Sequence, residues 1–296
     1  MDVWRDARET GQATLEEFVG GVRSTLRERV RRSVGVRGTP PVTCEDPDES
    51  YMPVGGAARA VHGDLAAMLV GGIASLLLQM LHPLVMTGVA QHSKYREDPL
   101  GRLSRTASFV GATTYGSRAD AARAVARVRG VHARVRGRSA EHGAYEADTP
   151  RLLEWVHVAE LTMFLAGVRA YGPLRITPEL ADRYVDEMAR VALDLGVSDP
   201  PRTEAQLMAS LDSFRDELTL IPEALEARDF VVHGVSRRPT QRAAYRTLVA
   251  GGIGVLPGWA RRDLRFADIP LSDELIVRPA ATLLCSTLRF AVPPAR

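Results

Sequence analysis

Through most of the chain, apolar residues recur every three or four positions, which is the spacing of a helix, rather than at every second position, which is the spacing of a strand. The stretch from residue 150 to 171 shows this most regularly, with apolar residues three or four positions apart. The sequence contains no run of alternating β-branched residues and no internal repeat of fixed period. The pattern therefore predicts an all-α fold.

Local start and stop signals divide this pattern into separate helices. Asp98, Ser117, Thr149 and Thr177 each precede a helical run and suit the N-cap position, and Gly196 suits the end of one. We also predict helices from residues 203 to 220, 222 to 233 and 272 to 290, and a basic turn at 237–239. At the beginning of the chain, residues 4–34 have the pattern of a long amphipathic helix with a basic end, and a Pro- and Gly-rich linker follows.

The most apolar segment runs from Leu65 to Ala90 and is about long enough to cross a bilayer. It contains Gln79, His82, Pro83 and three glycines, and no Trp or Tyr marks either edge. We interpret it as a helix buried in a large helical core, and membrane association is not expected. Pro83 should kink this helix and free a backbone carbonyl near Gln79.

A helix predicted from residue 118 to 138 carries two classes of arginine. At 100° per residue, four arginines cluster on a solvated face, while two others share the apolar face with a histidine. The inward face carries Ala121, Val125, Val128, Arg129, His132, Val135 and Arg136. Arginine on an inward face usually binds an anion, and histidine there is a metal ligand or a hydrogen-bonded core residue. Haem, which combines iron with carboxylates, fits this set, and a cofactor-free scaffold with buried hydrogen-bond networks remains an alternative.

Composition restricts the classes of partner. The 296 residues include 38 basic and 36 acidic side chains, for a formal net charge of +2, so no excess of positive charge favours nucleic acid. The two cysteines, Cys44 and Cys285, lie in no metal or disulfide motif. The first residues lack the apolar core of a secretory signal, so the expected location is the cytoplasm.

Several common catalytic motifs are absent from the sequence. It has no H-E-x-x-H, no G-x-x-x-x-G-K-[ST] and no G-x-S-x-G. Glu154 and His157 match the E-x-x-H spacing of di-iron helical bundles, which require a second copy that this sequence lacks. A di-iron oxygenase therefore remains an alternative, although only one of the two E-x-x-H motifs that it requires is present.

Four stretches carry a resemblance to a known family. They are ARAVHGD, LLLQMLHPLVMTGVAQHSKYREDPLGRLSRTASFVGATTYGS, VRGVHARVRG and TPRLLEWVHVAELTMFLAGVRAYG. In this order they resemble the haem-dependent oxygenases that include the latex-clearing rubber oxygenases and the fungal mycophenolate-pathway oxygenase, over roughly residues 55 to 235. The resemblance implies a globin-like helical core around haem b and oxidative chemistry with O2.

The resemblance also implies roles for individual residues. The R-x-x-H-x-x-x-R motif of the family falls on Arg129, His132 and Arg136, with His132 as the iron ligand. The R-x-x-[KR]-T motif falls on Arg102, Arg105 and Thr106, on the distal side or near the propionates, and the histidine of W-V-H falls on His157 as a pocket residue. Rubber oxygenases carry a distal glutamate on the preceding helix, whereas residues 65–90 contain no carboxylate, so cleavage of polyisoprene is not expected.

The sequence as a whole predicts a haem b-dependent oxygenase that uses O2 or peroxide on an apolar small molecule or lipid-like substrate. Three residues are expected to be catalytic (Thr106, Arg105, His157) and four to bind the cofactor (Arg102, Arg129, His132, Arg136). We expect an N-terminal helix and linker at 1–54, the oxygenase core at 55–235 and a helical extension packed on the core at 236–296. Because the distal carboxylate is missing, a haem carrier or sensor without turnover remains an alternative.

Overall fold

A computed structural model describes residues 43–233, 239–267 and 273–293. In these residues it contains twelve α-helices and one two-stranded sheet, which confirms the all-α prediction. The helix predicted at residues 4–34 lies outside the described residues, as do residues 237 and 238 of the predicted basic turn. The elements are, in chain order, α1 (Ala57–His62), α2 (Leu65–Gln79), α3 (Pro83–His92), α4 (Pro99–Tyr115), α5 (Arg118–His132), β1 (Arg136–Ser139), β2 (Gly143–Glu146), α6 (Pro150–Tyr171), α7 (Pro178–Leu195), α8 (Glu204–Ser213), α9 (Pro222–His233), α10 (Pro239–Val255), α11 (Gly258–Asp263) and α12 (Arg278–Ala291).

The predicted capping residues lie at the helix ends, and all but Thr149, whose side chain makes no cap hydrogen bond, act through local hydrogen bonds. The Asp98 carboxylate accepts from the Gly101 backbone N–H at 2.9 Å, and Ser117 forms a capping box with Asp120. Thr177 caps α7, and Gly196 ends it in the left-handed conformation, with φ of +115°. The predicted helix from 203 to 220 is shorter, because α8 ends at Ser213 and a 3-10 turn follows at Arg215–Glu217.

The centre of the fold is the antiparallel pair α2 and α6. Gly71 and Gly167 allow the two backbones to approach closely: a Cβ on Gly71 would lie 2.7 Å from the Met163 carbonyl oxygen, and one on Gly167 would lie 2.8 Å from the Ala67 carbonyl oxygen. The helices α10 and α12 pack against the same α2. The most apolar segment of the chain is therefore enclosed by other helices.

The apolar segment breaks before Pro83, as predicted. The helices α2 and α3 meet at an angle of 103°, with Pro83 in the first turn of α3. The carbonyls freed at the break are used, because Gln79 O accepts from Trp155 Nε1 at 3.3 Å and Leu81 O accepts from the Thr219 N–H at 2.8 Å. Within the described ranges, no single helix has the length and hydropathy to cross a bilayer, although α2 and α3 taken together do.

The prediction of one helix from residue 118 to 138 is wrong. The helix α5 ends at His132, and residues 136–139 form β1, which pairs antiparallel with β2. Tertiary contacts favour the hairpin, since Tyr145 OH donates to Gln91 Oε1 on α3 at 2.7 Å. Gly137 lies against the same tyrosine, so close that a Cβ would be 2.7 Å from its hydroxyl oxygen.

Candidate functional site

His132, the predicted iron ligand, is the last residue of α5. Its ring is half-buried, the Nδ1 atom is buried without a hydrogen-bond partner, and no hydrogen bond reaches Nε2 from any described residue. Burial lowers the pKa of His132 below its usual range, and the nearby Asp148 carboxylate opposes this only in part. The imidazole is therefore neutral at pH 7 and keeps a lone pair for a ligand, which is the form that binds a metal.

Two arginines expected beside His132 point elsewhere. Arg129 is exposed, and its Nη1 donates to the Asp194 carbonyl at 3.0 Å. Arg136 lies on β1 rather than one turn beyond His132 on the helix, and its Nη2 donates to the Ala133 carbonyl at 2.7 Å. The inward arginine face predicted from a continuous helix is therefore not formed, because the helix stops before Arg136.

The face of α5 that carries Arg129 does border an open hollow. It has a volume of about 500 Å³, and it lies between α5 and the end of α7. Its lining consists of Ala122, Val125, Ala126, Arg129 and Asp194. Val125 and Arg129 thus share one surface, as the helical angles predicted.

The R-x-x-R-T segment lies on α4 and becomes more exposed along the helix. Arg102 is half-buried, and its Nη1 donates to Ser93 Oγ at 2.9 Å. Burial lowers the pKa of the Arg102 guanidinium, and the Arg105 charge adds to this effect. Arg105 is exposed and pairs with Asp98 at 3.3 Å, and Thr106 beside it is exposed as well. Arg102 is thus the arginine of this segment that the protein encloses.

His157 is buried within α6. Its Nε2 atom has no hydrogen-bond partner, and burial lowers its pKa to about 4. The ring is therefore neutral at physiological pH. Among the described residues, no hydrogen bond or salt bridge joins any two of the seven predicted site residues, of which six lie on helices and Arg136 lies on β1.

Sequence reasoning missed two polar groups in this core, Glu160, which is partly accessible, and His62, which is buried. Glu160 lies one helical turn after His157, and burial raises the pKa of its carboxyl to about 7. On α1, the two ring nitrogens of His62 lie 2.8 Å from Thr114 Oγ1 and 2.9 Å from Tyr184 OH. The spacing of Glu160 within the apolar stripe of α6 is the signal that identifies it, since it falls between Val156 and Leu153 on the helical wheel.

The di-iron alternative does not fit the geometry. Glu154, the carboxylate of its E-x-x-H motif, accepts from Ser210 Oγ at 2.7 Å and from Arg151 at 3.4 Å. Within the part of the chain that the structure describes, no group of three or more His, Cys, Asp or Glu side chains is arranged to hold a metal ion. The described residues thus provide no carboxylate cluster of the kind that a di-iron site requires.

His82, from the most apolar segment, is the N-cap residue of α3. Its ring is buried near Trp155 and Phe214, and its Nε2 lies 3.6 Å from Glu217 Oε2. It belongs to the contact between α3, α6 and the turn after α8.

Comparison with known proteins gives one match. Residues 59–289 match the family model described as ER-bound oxygenase mpaB/B'/Rubber oxygenase, catalytic domain. No curated protein and no solved structure matches the chain. The matched segment begins in α1 and ends in α12, so it includes every residue discussed above.

Proposed function

Because the chain belongs to the mpaB and rubber oxygenase catalytic-domain family and is thus an oxygenase, we propose that it binds haem b through His132. It uses O2 to oxidise an apolar small molecule or lipid-like substrate. The observation that carries the proposal is the unpaired, neutral imidazole of His132 at the end of α5. A buried nitrogen without a partner is costly unless a ligand occupies it.

The residues around a haem would have distinct roles. His132 holds the iron, and the iron supplies the binding and activation of O2. Arg102 is suited to a propionate because its half-buried guanidinium has only one neutral hydrogen-bond partner, Ser93. Arg129 and Arg136 can bind a propionate only by giving up their present hydrogen bonds to backbone carbonyls. We therefore propose that they contribute less to propionate binding than Arg102 does.

We assign three further residues to the substrate and O2 side. Arg105 and Thr106 follow Arg102 on the same face of α4, where their exposure leaves them accessible to a ligand. The neutral ring of His157 offers a hydrogen bond inside an otherwise apolar helix face. Apolar surroundings of this kind favour a substrate with little charge.

One observation favours a second candidate function, a haem carrier or sensor. Neither α2 nor α3 contains an Asp or Glu, so those helices provide no carboxylate that could act as a base. Substrate-dependent consumption of O2 by the haem-loaded protein separates an oxygenase from a carrier, which consumes none.

The direct test is the visible spectrum of the full-length protein produced with added haem. We expect a Soret band in the wild type and in His142→Ala, a matched control because His142 is exposed on the hairpin. The band should be lost in His132→Ala and restored when free imidazole is added. An unchanged band in His132→Ala would assign the iron to another residue, and a colourless wild type would exclude haem.

A further inference from the structure

Glu160 is an acidic residue in the most enclosed helix of the protein. Its chain neighbours on α6, Ala159 and Leu161, are both completely buried, whereas the Glu160 side chain keeps part of its surface accessible. Among the described residues, no hydrogen bond or ion pair reaches its carboxyl group. The Glu160 carboxyl therefore has an accessible surface and no partner within the part of the chain that the structure describes.

Within the described residues, no cation acts on the Glu160 carboxyl, whose pKa is shifted by burial alone. The helix α2, which packs along α6, has no titratable residue from Leu65 to Gln79. On α7 the nearby titratable group is Tyr184, whose pKa Glu160 raises further. On α1 it is His62, which burial keeps neutral by lowering its pKa to about 3. Burial raises the pKa of Glu160 itself to about 7, so near neutrality a large share of this carboxyl is protonated.

The fold does not need Glu160 for its hydrogen bonds. The neighbouring chain of Thr114, His62 and Tyr184 is complete without it, since both ring nitrogens of His62 already have partners. Leaving a carboxyl unpaired in the interior costs stability, and such groups concentrate at functional sites. His157, one turn earlier on the same side of α6, is also unpaired at Nε2. Two unpaired polar groups on one helix face indicate a binding surface.

We propose that Glu160 is the polar contact of the substrate site and donates a hydrogen bond to a neutral oxygen atom of an otherwise apolar substrate. A ketone, aldehyde, ester or alcohol oxygen fits this contact, because each accepts a hydrogen bond without bringing a charge into the core. A carboxylate does not fit, since it would be desolvated beside a second acid. The inference narrows the substrate class of the proposed oxygenase to neutral oxygenated lipids, and it rests on that proposed function.

The test compares three probes of equal chain length: methyl hexyl ketone, octane and octanoate. Their dissociation constants for the full-length protein are measured by calorimetry at about pH 6 and about pH 8.5, on either side of the Glu160 pKa. At the lower pH we expect the ketone to bind about tenfold more tightly than octane, as one net hydrogen bond implies. This preference should shrink at the higher pH, and octanoate should bind most weakly.

Two variants make the result specific to Glu160. Glu160→Gln keeps a donor but cannot ionise, so its ketone preference should persist and become independent of pH. Glu160→Leu should lose the preference at both pH values. Glu154→Gln is the matched control, because Glu154 lies on the same helix and already has Ser210 and Arg151 as partners, and it should behave like the wild type.

The outcomes separate this inference from the proposed function. Infrared absorption of a protonated carboxyl that titrates near neutral pH, present in the wild type and in Glu154→Gln but absent in Glu160→Gln, would support the inference without any haem. If the ketone binds no tighter than octane, or if Glu160→Leu retains the preference, the inference is wrong even when the Soret band is intact. A missing Soret band together with a pH-dependent ketone preference would instead refute haem binding and leave the Glu160 contact standing.

Discussion

Arg289 and Asp64 form an ion pair that joins the last helix of the described chain to the first turn of its central helix. Arg289 Nε donates to Asp64 Oδ2 at 2.7 Å, while the other oxygen of this carboxylate accepts from the Ala66 N–H at 3.0 Å and caps α2. Arg289 also donates to the Tyr171 carbonyl at the end of α6. The Asp64 side chain is only 4% exposed, so one carboxylate both starts α2 and positions α12.

Replacing Asp64 should therefore destabilise the protein through two separate contacts. Asp64→Ala removes the cap of α2 and leaves Arg289 without its anion, so we expect the free energy of unfolding to fall by about 2–4 kcal/mol. Asp64→Ser keeps an N-cap oxygen but not the charge, so its loss should be smaller. Urea unfolding of the three proteins measures both effects, and equal losses in Ala and Ser variants would show that the cap contributes nothing.

Because α2 and α6 approach closely at Gly167, we predict that a larger residue at this position destabilises the protein. In Gly167→Ala the new Cβ would lie 2.8 Å from the Ala67 carbonyl oxygen and 2.9 Å from Gly71 Cα, both backbone atoms that cannot turn away. We expect a loss of about 1–3 kcal/mol from overpacking, seen as a lower thermal midpoint. Gly130→Ala on α5 is the control, because nothing lies within 4 Å of its Cβ. It should stabilise by roughly 0.5–1 kcal/mol, and similar losses in both variants would contradict the packing described here.

Acid should weaken the fold through its buried histidines. Burial lowers the pKa of His62 from 6.5 to about 3, so in the pH range between these values the unfolded chain binds a proton that the folded protein does not. The free energy of unfolding should therefore decrease as pH falls below 6.5 and continue to decrease until pH approaches 3. For His62 alone we expect a loss of roughly 1–2 kcal/mol between about pH 7 and about pH 5.

Measuring urea unfolding against pH for the wild type and His62→Gln isolates this contribution. The glutamine variant starts less stable, since it changes the contacts of Thr114 and Tyr184, but its curve should be shallower on the acid side. His157 contributes in the same direction and remains in both proteins, so some slope should persist. Parallel curves would mean that His62 does not titrate as its burial indicates.

The arginines allow a comparison that depends on haem binding. Arg102 is half-buried on Ser93, whereas Arg136 is exposed and bound to a backbone carbonyl, so the two differ in how readily they can hold a propionate. Arg102→Leu should speed the transfer of haem to an acceptor apoprotein about tenfold, the equivalent of one charge-assisted hydrogen bond. Arg136→Leu should change the rate less than about twofold. Faster loss from the Arg136 variant would assign the propionate to the hairpin.

Much of the helical framework follows from the sequence because its causes are local. Asp98, Ser117, Thr177 and Gly196 begin or end helices where the sequence predicted, since a cap needs only a side chain and the backbone within a few residues of it. Pro83 breaks the apolar segment for the same reason, as its ring affects only the preceding turn.

The site could be predicted only in part, because helical angles do not say what covers a face. The helical wheel of residues 118–138 placed Arg129, His132 and Arg136 together on the assumption that the helix continued. The chain forms a hairpin there instead, because Tyr145 and Gly137 contact α3. Sequence reasoning did not single out Glu160 on α6, because whether an acid in an apolar stripe meets a cation or remains unpaired depends on the helices packed against it.

By itself, then, the sequence determined the helix class and most helix starts, which rest on interactions between near neighbours in the chain, and it supplied the candidates for cofactor binding. Only the tertiary structure decided which of those residues are enclosed: His132, His157 and Arg102 are at least half-buried, while Arg129, Arg136, Arg105 and Thr106 are exposed. The physical reason is that segments distant in sequence pack against a residue and determine how far it is buried. Burial in turn determines the protonation state of its side chain and the hydrogen-bond partners that the side chain can reach.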